Sequence, residues 1–213
     1  AGAQLDLEYR DLFDLLNLDD KKRDAVTDLI KARMGTQMDL GFKAVDKELS
    51  AEARAEAAAA LTKSMAESSA KIKEQLGADY DKFERFEKSK PERDQLKVLG
   101  TMMKDQGLSL DETTESKLMD AMYSERQSFK FERDLSDMTK VQPDNLSSEN
   151  VDLYLEQNAM LQQQIQAKAK GILSQEQYEV FLKSQESQQQ MMQMGLKMWQ
   201  KMTLGTGEAD ARD

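Results

Sequence analysis

The chain contains the same helix-start landmarks twice and in the same order. Residues 18–30 (LDDKKRDAVTDLI) return 92 positions later as residues 110–122 (LDETTESKLMDAM). Two further landmarks recur, a Leu-Ser-x-Glu segment and a Tyr-x-x-Phe pair, which lie at Leu49–Glu52 and Tyr80–Phe83 and again at Leu146–Glu149 and Tyr178–Phe181. Self-similarity over a long period is typical of chains built from repeated structural units. The sequence therefore predicts two copies of one module.

The repeated module is predicted to be helical. Apolar residues recur at intervals of three and four along both copies, and no segment shows the alternation of a strand. Asp19 and Ser50 are suited to cap free backbone N–H groups at helix starts. Capping boxes are predicted at Ser89–Glu92 and Ser174–Gln177. The predicted helices lie at about 4–16, 19–38, 50–76, 89–107, 110–139, 151–172 and 174–202, with a loop at 141–145.

We expect an all-α fold in which two tandem, similar helical-hairpin modules pack into one elongated or curved body. Residues 1–106 form the first module, which includes an N-terminal helix and a connecting helix. Residues 107–204 form the second module, and residues 205–213 a flexible tail. Only 39% of the residues are apolar and 33% are charged, so the apolar core should be thin, as in helices with narrow apolar stripes.

Composition disfavours several classes of function. The chain has no histidine and no cysteine, which removes the commonest general base, cysteine nucleophiles and most zinc, nickel and haem ligands. The net charge of -10 disfavours nucleic acid and anionic membranes, because both need clustered Lys and Arg. No apolar run is long enough to span a bilayer. We therefore expect protein partners with basic or apolar surfaces, and no cofactor.

An enzyme would need an active site built from acids alone. Asp19-Asp20 and Asp111-Glu112 are the pairs that general acid–base catalysis would use. Their positions at helix starts already explain them, since helix N-termini favour negative charge. One tryptophan and 6% aromatic residues also disfavour a sugar-binding cleft. The sequence therefore predicts a protein that is not an enzyme.

The surplus of methionine points to a binding surface. The chain has 14 methionines among 213 residues, and flexible thioether side chains repack against varied partners. Several lie at helical spacings in the last helix, where packing of that helix, an adaptable contact surface or binding of Cu(I) are the alternatives. The helical spacing favours the first two over a metal site. The predicted partner-binding residues are Met34, Met38, Met191, Met194, Met198 and Trp199.

Three short segments resemble the LTxxQ-motif group of bacterial periplasmic helical proteins, the Spy/CpxP-like proteins. The best match is Leu173-Ser174-Gln175-Glu176-Gln177 with Tyr178 and Phe181, where serine replaces the threonine of the group. Leu49–Glu52 and Leu146–Glu149 match more loosely, because both lack the glutamine. A longer stretch, from 76 to 126, is similar to uncharacterised secreted bacterial helical proteins through Tyr80, Phe83, Glu87, Pro91-Glu92-Arg93 and Glu125-Arg126.

The resemblance implies a helical hairpin that, in that group, dimerises into a cradle and holds partly folded clients without ATP. Two copies in one chain would build such a cradle as a monomer with an internal pseudo-dimer, and a homodimer is the alternative. The metal-sensing members rely on histidine ligands, which this chain lacks, so that branch is disfavoured.

Two functions remain as hypotheses. The first is a non-enzymatic periplasmic binding protein of the chaperone or envelope-stress type, which holds unfolded clients on an amphipathic helical surface. The second is a structural or regulatory protein that recognises one specific partner. The chain starts at Ala1, as a mature exported protein would after signal removal, so we expect a periplasmic or secreted location. A trimmed chain would start in the same way.

Overall fold

The protein is all-α, as predicted. A computed structural model describes residues 2–46, 48–136 and 147–204, and those residues form helices and turns without a strand. A short 3-10 turn, Gly77–Asp79, joins α3 to α4. The helices are α1 Gly2–Leu15, α2 Asp20–Val45, α3 Ala51–Leu76, α4 Tyr80–Lys88, α5 Lys90–Asp105, α6 Glu112–Ser128, α7 Ser148–Ala169 and α8 Gln175–Leu204. The predicted loop at 141–145 and tail at 205–213 lie outside the described residues.

The chain divides into two compact units, Ala1–Lys88 and Ser89–Asp213. The sequence placed this boundary after residue 106 instead. The difference is helix α5, which packs against α6 and α8 and therefore belongs to the second unit. The tandem arrangement of two similar modules stays a prediction.

In the first unit, the core lies where α1 and α4 meet one end of the α2–α3 pair. Helices α2 and α3 pack along each other. Of the side chains that the structure describes between Ile30 and Ile72, only that of Ala57 is buried. The rest of the pair is a thin two-helix arm. The core residues are Leu5, Tyr9, Leu12, Phe13, Leu16, Val26, Ile30, Ile72, Leu76 and Phe83.

The second unit has two apolar clusters. The larger one joins α5, α6, α7 and the first half of α8, and its residues are Leu96, Leu99, Met103, Leu118, Met122, Leu161, Ile165, Ala169, Leu173, Val180 and Phe181. The smaller one joins the start of α7 to the second half of α8 through Leu135, Val151, Tyr154 and Leu196. Helix α8 therefore packs against both clusters, and these contacts determine which side of the helix faces away from the core.

The helix starts follow the predicted capping. The side chains of Asp19 and Ser50 accept hydrogen bonds from the N–H groups of residues 22 and 53. The box at the start of α8 is confirmed, since Gln177 N–H donates to Ser174 Oγ (3.3 Å) and Ser174 N–H donates to Gln177 Oε1 (2.9 Å). Such reciprocal bonds satisfy backbone donors that the first helical turn leaves unpaired.

The capping box predicted at Ser89–Glu92 is wrong. Ser89 makes no capping hydrogen bond through its side chain. Glu92 is buried and instead accepts hydrogen bonds from the guanidinium of Arg126 on α6, one of them from Nη2 to Oε2 at 3.0 Å. An ion pair with a distant arginine has therefore replaced the local bond that the sequence pattern suggested.

Helix α6 ends at Ser128, earlier than the predicted end near residue 139. Phe129 has an extended backbone, with φ -70° and ψ 133°. Its ring and that of Phe131 lie 4.8 Å apart and pack against the larger cluster. The N–H of Glu132 donates to Gln157 Oε1 on α7 (3.0 Å). Packing of the two rings therefore stabilises the extended backbone at Phe129 over continuation of helix α6.

Helices α1 and α5 end with the same pattern of backbone hydrogen bonds. Leu18 N–H donates to Phe13 C=O at the end of α1, and Leu108 N–H donates to Met103 C=O at the end of α5. This is the Schellman arrangement, which needs a left-handed residue just past the helix. The left-handed residues are Asn17, with φ 48°, and Gly107, with φ 71°.

These two residues allow a matched test of backbone strain. Asn17→Gly is expected to stabilise the first unit by about 0.5 kcal/mol, because glycine enters the left-handed region without a steric penalty. Gly107→Ala is expected to destabilise the second unit by about 1 kcal/mol, since φ 71° is strained for alanine although no atom lies near its Cβ. Urea denaturation of each variant measures both effects. A gain in stability for Gly107→Ala would contradict the assigned backbone conformation.

Candidate functional site

Three methionines form an exposed row on helix α8. The exposed fractions of Met191, Met194 and Met198 are 61%, 66% and 63%. Their spacing of three and four positions places them along one side of the helix. We call these three residues the α8 methionine row. Large apolar side chains this exposed are not part of the core, so packing of the last helix does not explain them.

The row points outward because a different face of α8 is held by the smaller cluster of the second unit. Leu196 is buried there, and Met192 and Trp199 pack against the same cluster. Gln200 Nε2 also donates to Ser148 Oγ at the start of α7 (3.1 Å). Trp199, predicted as a contact residue, is therefore partly buried and lies beside the row, not on it.

A second exposed row lies on helix α2. Met34, Met38 and Phe42 recur every four positions and have exposed fractions of 47%, 61% and 68%. We call them the α2 row. Val26 and Ile30 precede them at the same spacing but are buried. The row is exposed because α2 continues beyond the core of the first unit as one helix of the thin arm.

The predicted contact residues therefore fall into two groups, one in each unit. Met34 and Met38 lie in the first unit, and Met191, Met194, Met198 and Trp199 in the second. Sequence reasoning missed Phe42, although its spacing of four from Met38 was the available signal. It also missed Met160 on α7, whose exposed fraction is 51%.

An ion-pair network ties the base of the α2 arm to α1 and α4. Arg33 Nη1 donates to Glu87 Oε2 (2.9 Å), Arg33 Nη2 donates to Glu87 Oε1, and the Tyr9 hydroxyl donates to the same Oε1 (2.8 Å). Burial, reinforced by the charge of Glu87, raises the pKa of Tyr9. Burial opposes the charged form of Arg33, but its bonds with Glu87 outweigh this and raise its pKa. Both raised pKa values keep the Tyr9 hydroxyl and the Arg33 guanidinium protonated near neutral pH, so these two groups hold Glu87 as hydrogen-bond donors and anchor the three helices.

The second unit has a similar anchor and a buried tyrosine. The bonds with Glu92 outweigh burial and raise the pKa of Arg126. Burial, with the nearby charge of Asp134, raises the pKa of Tyr154 to about 12. Neither group titrates near neutral pH. The raised pKa values of Arg126 and Tyr154 therefore follow from the packing and ion pairing of the unit.

The geometry of the α8 methionine row suits an extended contact better than a single metal ion. Met191 and Met198 are separated by about 10 Å along the helix axis, so the row spans about two turns of helix, whereas the ligands of one metal ion converge to within about 2.3 Å of it. Within the described ranges, no group of three or more Asp or Glu side chains is placed to hold a metal. Nor is any helix in the described part of the chain long and apolar enough to cross a membrane.

Comparison of the chain with protein-family models, curated proteins and solved structures finds no match. The exposed rows and the charge of the chain are therefore the features that bear on its function.

Proposed function

We propose that this protein is a non-enzymatic binding protein of the chaperone or envelope-stress type, which holds partly unfolded clients on exposed, methionine-rich helix faces. We place it in the bacterial periplasm or outside the cell. The α8 methionine row supports the proposal most directly, since three large apolar side chains stay exposed on an ordered helix.

Methionine suits a surface that must accept different clients. Its side chain is unbranched and polarisable, so it adapts to irregular apolar partners with little loss of contact. Gln190, Gln193 and Lys197 border the row along one side of α8, which limits the width of the apolar surface on that side. A narrow apolar row favours weak and reversible contacts over one permanent interface.

The charge of the chain supports both solubility and client choice. A net charge of -10 keeps the protein itself apart from other copies. It also attracts clients with basic segments beside their apolar ones. Such a holding protein needs no cofactor and no catalytic residue.

A single dedicated partner is the second candidate, and the α2 row favours it. Met34, Met38 and Phe42 are spaced like the anchor residues with which a helix recognises one matching groove. An aromatic anchor such as Phe42 is also typical of specific interfaces. A pull-down that returns one stoichiometric partner would support this candidate, whereas many weakly bound clients would support the first.

Aggregation of a chemically denatured client, followed by light scattering, tests the proposal. We expect the wild type to suppress aggregation at several-fold molar excess. The triple variant M191Q/M194Q/M198Q should bind about tenfold more weakly, a loss of about 1.4 kcal/mol, because glutamine keeps the length and helix propensity of methionine but removes its apolar end.

The matched control is the triple variant M191L/M194L/M198L, which keeps an apolar row of nearly the same volume. It should suppress aggregation about as well as the wild type. A wild-type protein that leaves aggregation unchanged would show that the chaperone proposal is wrong. Equal activity of the glutamine variant would show that clients bind elsewhere.

A further inference from the structure

The methionines of the chain differ sharply in exposure. Met191, Met194 and Met198 have exposed fractions of 61%, 66% and 63%, whereas Met103 and Met122 in the core of the second unit have 0% and 2%. Cysteine is absent from the whole chain. The exposed thioethers are therefore the sulfur atoms that an oxidant in solution meets first.

Oxidation would change the property on which the proposed binding surface depends. A peroxide transfers one oxygen atom to the methionine sulfur, which supplies an electron pair, so that the thioether becomes a sulfoxide as the O–O bond breaks and hydrogen peroxide is reduced to water. The sulfoxide is polar and chiral. Three sulfoxides side by side would replace an apolar row with a polar one.

We propose that the α8 methionine row is a site of reversible oxidation, at which peroxide switches client binding off and methionine sulfoxide reductases switch it on again. In the return step a pair of thiols supplies two electrons and two protons and becomes a disulfide, while the sulfoxide oxygen leaves as water. The switch rests on the binding function proposed above, but the modification itself does not. Oxidants of the peroxide or hypohalous acid class would serve as substrates of this site.

The fold should survive oxidation of the row. The helix is held through a different face, by buried Leu196 and by Met192 and Trp199 packed against the smaller cluster. The methionines of the larger core are shielded. Oxidation therefore changes the surface while the packing of α8 is retained, as a switch requires and as simple oxidative damage to a core would not allow.

The order of modification is the first test. The reduced, full-length protein is treated with hydrogen peroxide, and sulfoxide at each methionine is followed by peptide mass spectrometry. We expect the three residues of the α8 row to be modified at least about tenfold faster than Met103 and Met122, in line with their accessibility. Circular dichroism should show no loss of helix at this stage. Equal rates for the row and the core would overturn the proposal.

Client binding after oxidation is the second test, with the M191L/M194L/M198L variant as the matched control. Peroxide should reduce the aggregation-suppressing activity of the wild type about tenfold, and treatment with methionine sulfoxide reductases should restore it. The activity of the leucine variant, measured against that of the same variant before treatment, should not fall on addition of peroxide, although Met34, Met38 and Met160 still oxidise. An equal loss of activity in the leucine variant would overturn the switch.

The two failures are distinguishable. Absence of client binding by the fully reduced wild type would contradict the proposed function and the regulatory role of the row. Slow or unselective modification of the row would contradict the proposal of an oxidation site, even if the reduced protein binds clients well.

Discussion

Replacing Phe83 with alanine should lower the free energy of unfolding of the first unit by about 3–5 kcal/mol. The Phe83 side chain is only 1% exposed. Its ring lies 6.1 Å from that of Tyr9 on α1 and 6.2 Å from that of Tyr80 on α4. Alanine would leave a cavity between these helices, and rigid neighbours close such cavities only in part.

Phe181→Ala is the matched substitution in the second unit. Phe181 is 2% exposed, and its ring lies 6.3 Å from that of Tyr178, much as Phe83 lies beside Tyr80. The expected loss is again about 3–5 kcal/mol. Hydrogen exchange measured by mass spectrometry should show lost amide protection confined to the unit that carries the substitution. Equal losses in both units for either variant would show that the two units unfold as one.

Local chemistry allowed most helix starts to be predicted. The sequence predicts Asp19, Ser50 and Ser174 as caps because their side chains can bond free N–H groups within the same turn. That interaction depends on three or four neighbouring residues alone, so the sequence contains all the information needed. The glycine at position 77 likewise indicates the end of α3 at Leu76. In the structure Gly77 has φ 56°, a conformation that glycine adopts freely.

Interactions between distant residues were not predictable in this way. The capping box at Ser89–Glu92 was wrong because Glu92 pairs with Arg126, 34 positions away. The end of α6 was missed because the ring of Phe131 packs on Tyr154, with centroids 5.2 Å apart. Helix periodicity describes the residues of one helix only. It cannot predict contacts such as Glu92 with Arg126 or Phe131 with Tyr154, because these depend on which segments of the chain pack together.

The binding rows show the same division. Val26, Ile30, Met34 and Met38 recur every four positions along α2, a spacing that predicts one apolar stripe. The spacing does not indicate that the stripe is buried only as far as Ile30, because its burial depends on where α1 and α4 end against the α2–α3 pair. The residue type supplied the missing hint, because methionine is frequent on adaptable surfaces. Trp199 shows the limit of that hint, as it packs against the smaller cluster.

Replacing Glu87 with leucine should destabilise the first unit by about 3 kcal/mol. The side chain of Arg33 is 10% exposed and that of Glu87 is 25% exposed. Loss of the carboxylate would leave the guanidinium almost buried without its partner, and would also remove the acceptor of the Tyr9 hydroxyl. Unpaired buried charge is costly because the interior cannot replace the water that would solvate it. Urea denaturation followed by circular dichroism measures the loss.

A matched substitution on the same helix separates this effect from any general change to α4. Glu84 pairs with Lys88 at 3.1 Å, but the two side chains are 44% and 51% exposed. Glu84→Leu should therefore change stability by no more than about 0.5 kcal/mol, as is usual for surface ion pairs. An equal effect of the two substitutions would show that the buried network does not anchor the unit.

The double variant R33M/E87L identifies the origin of the cost. If the loss in Glu87→Leu comes from the unpaired guanidinium, removal of that charge as well should recover most of it, to within about 1 kcal/mol of the wild type. Failure of the double variant to recover would mean that Glu87 contributes through its own packing and not through Arg33.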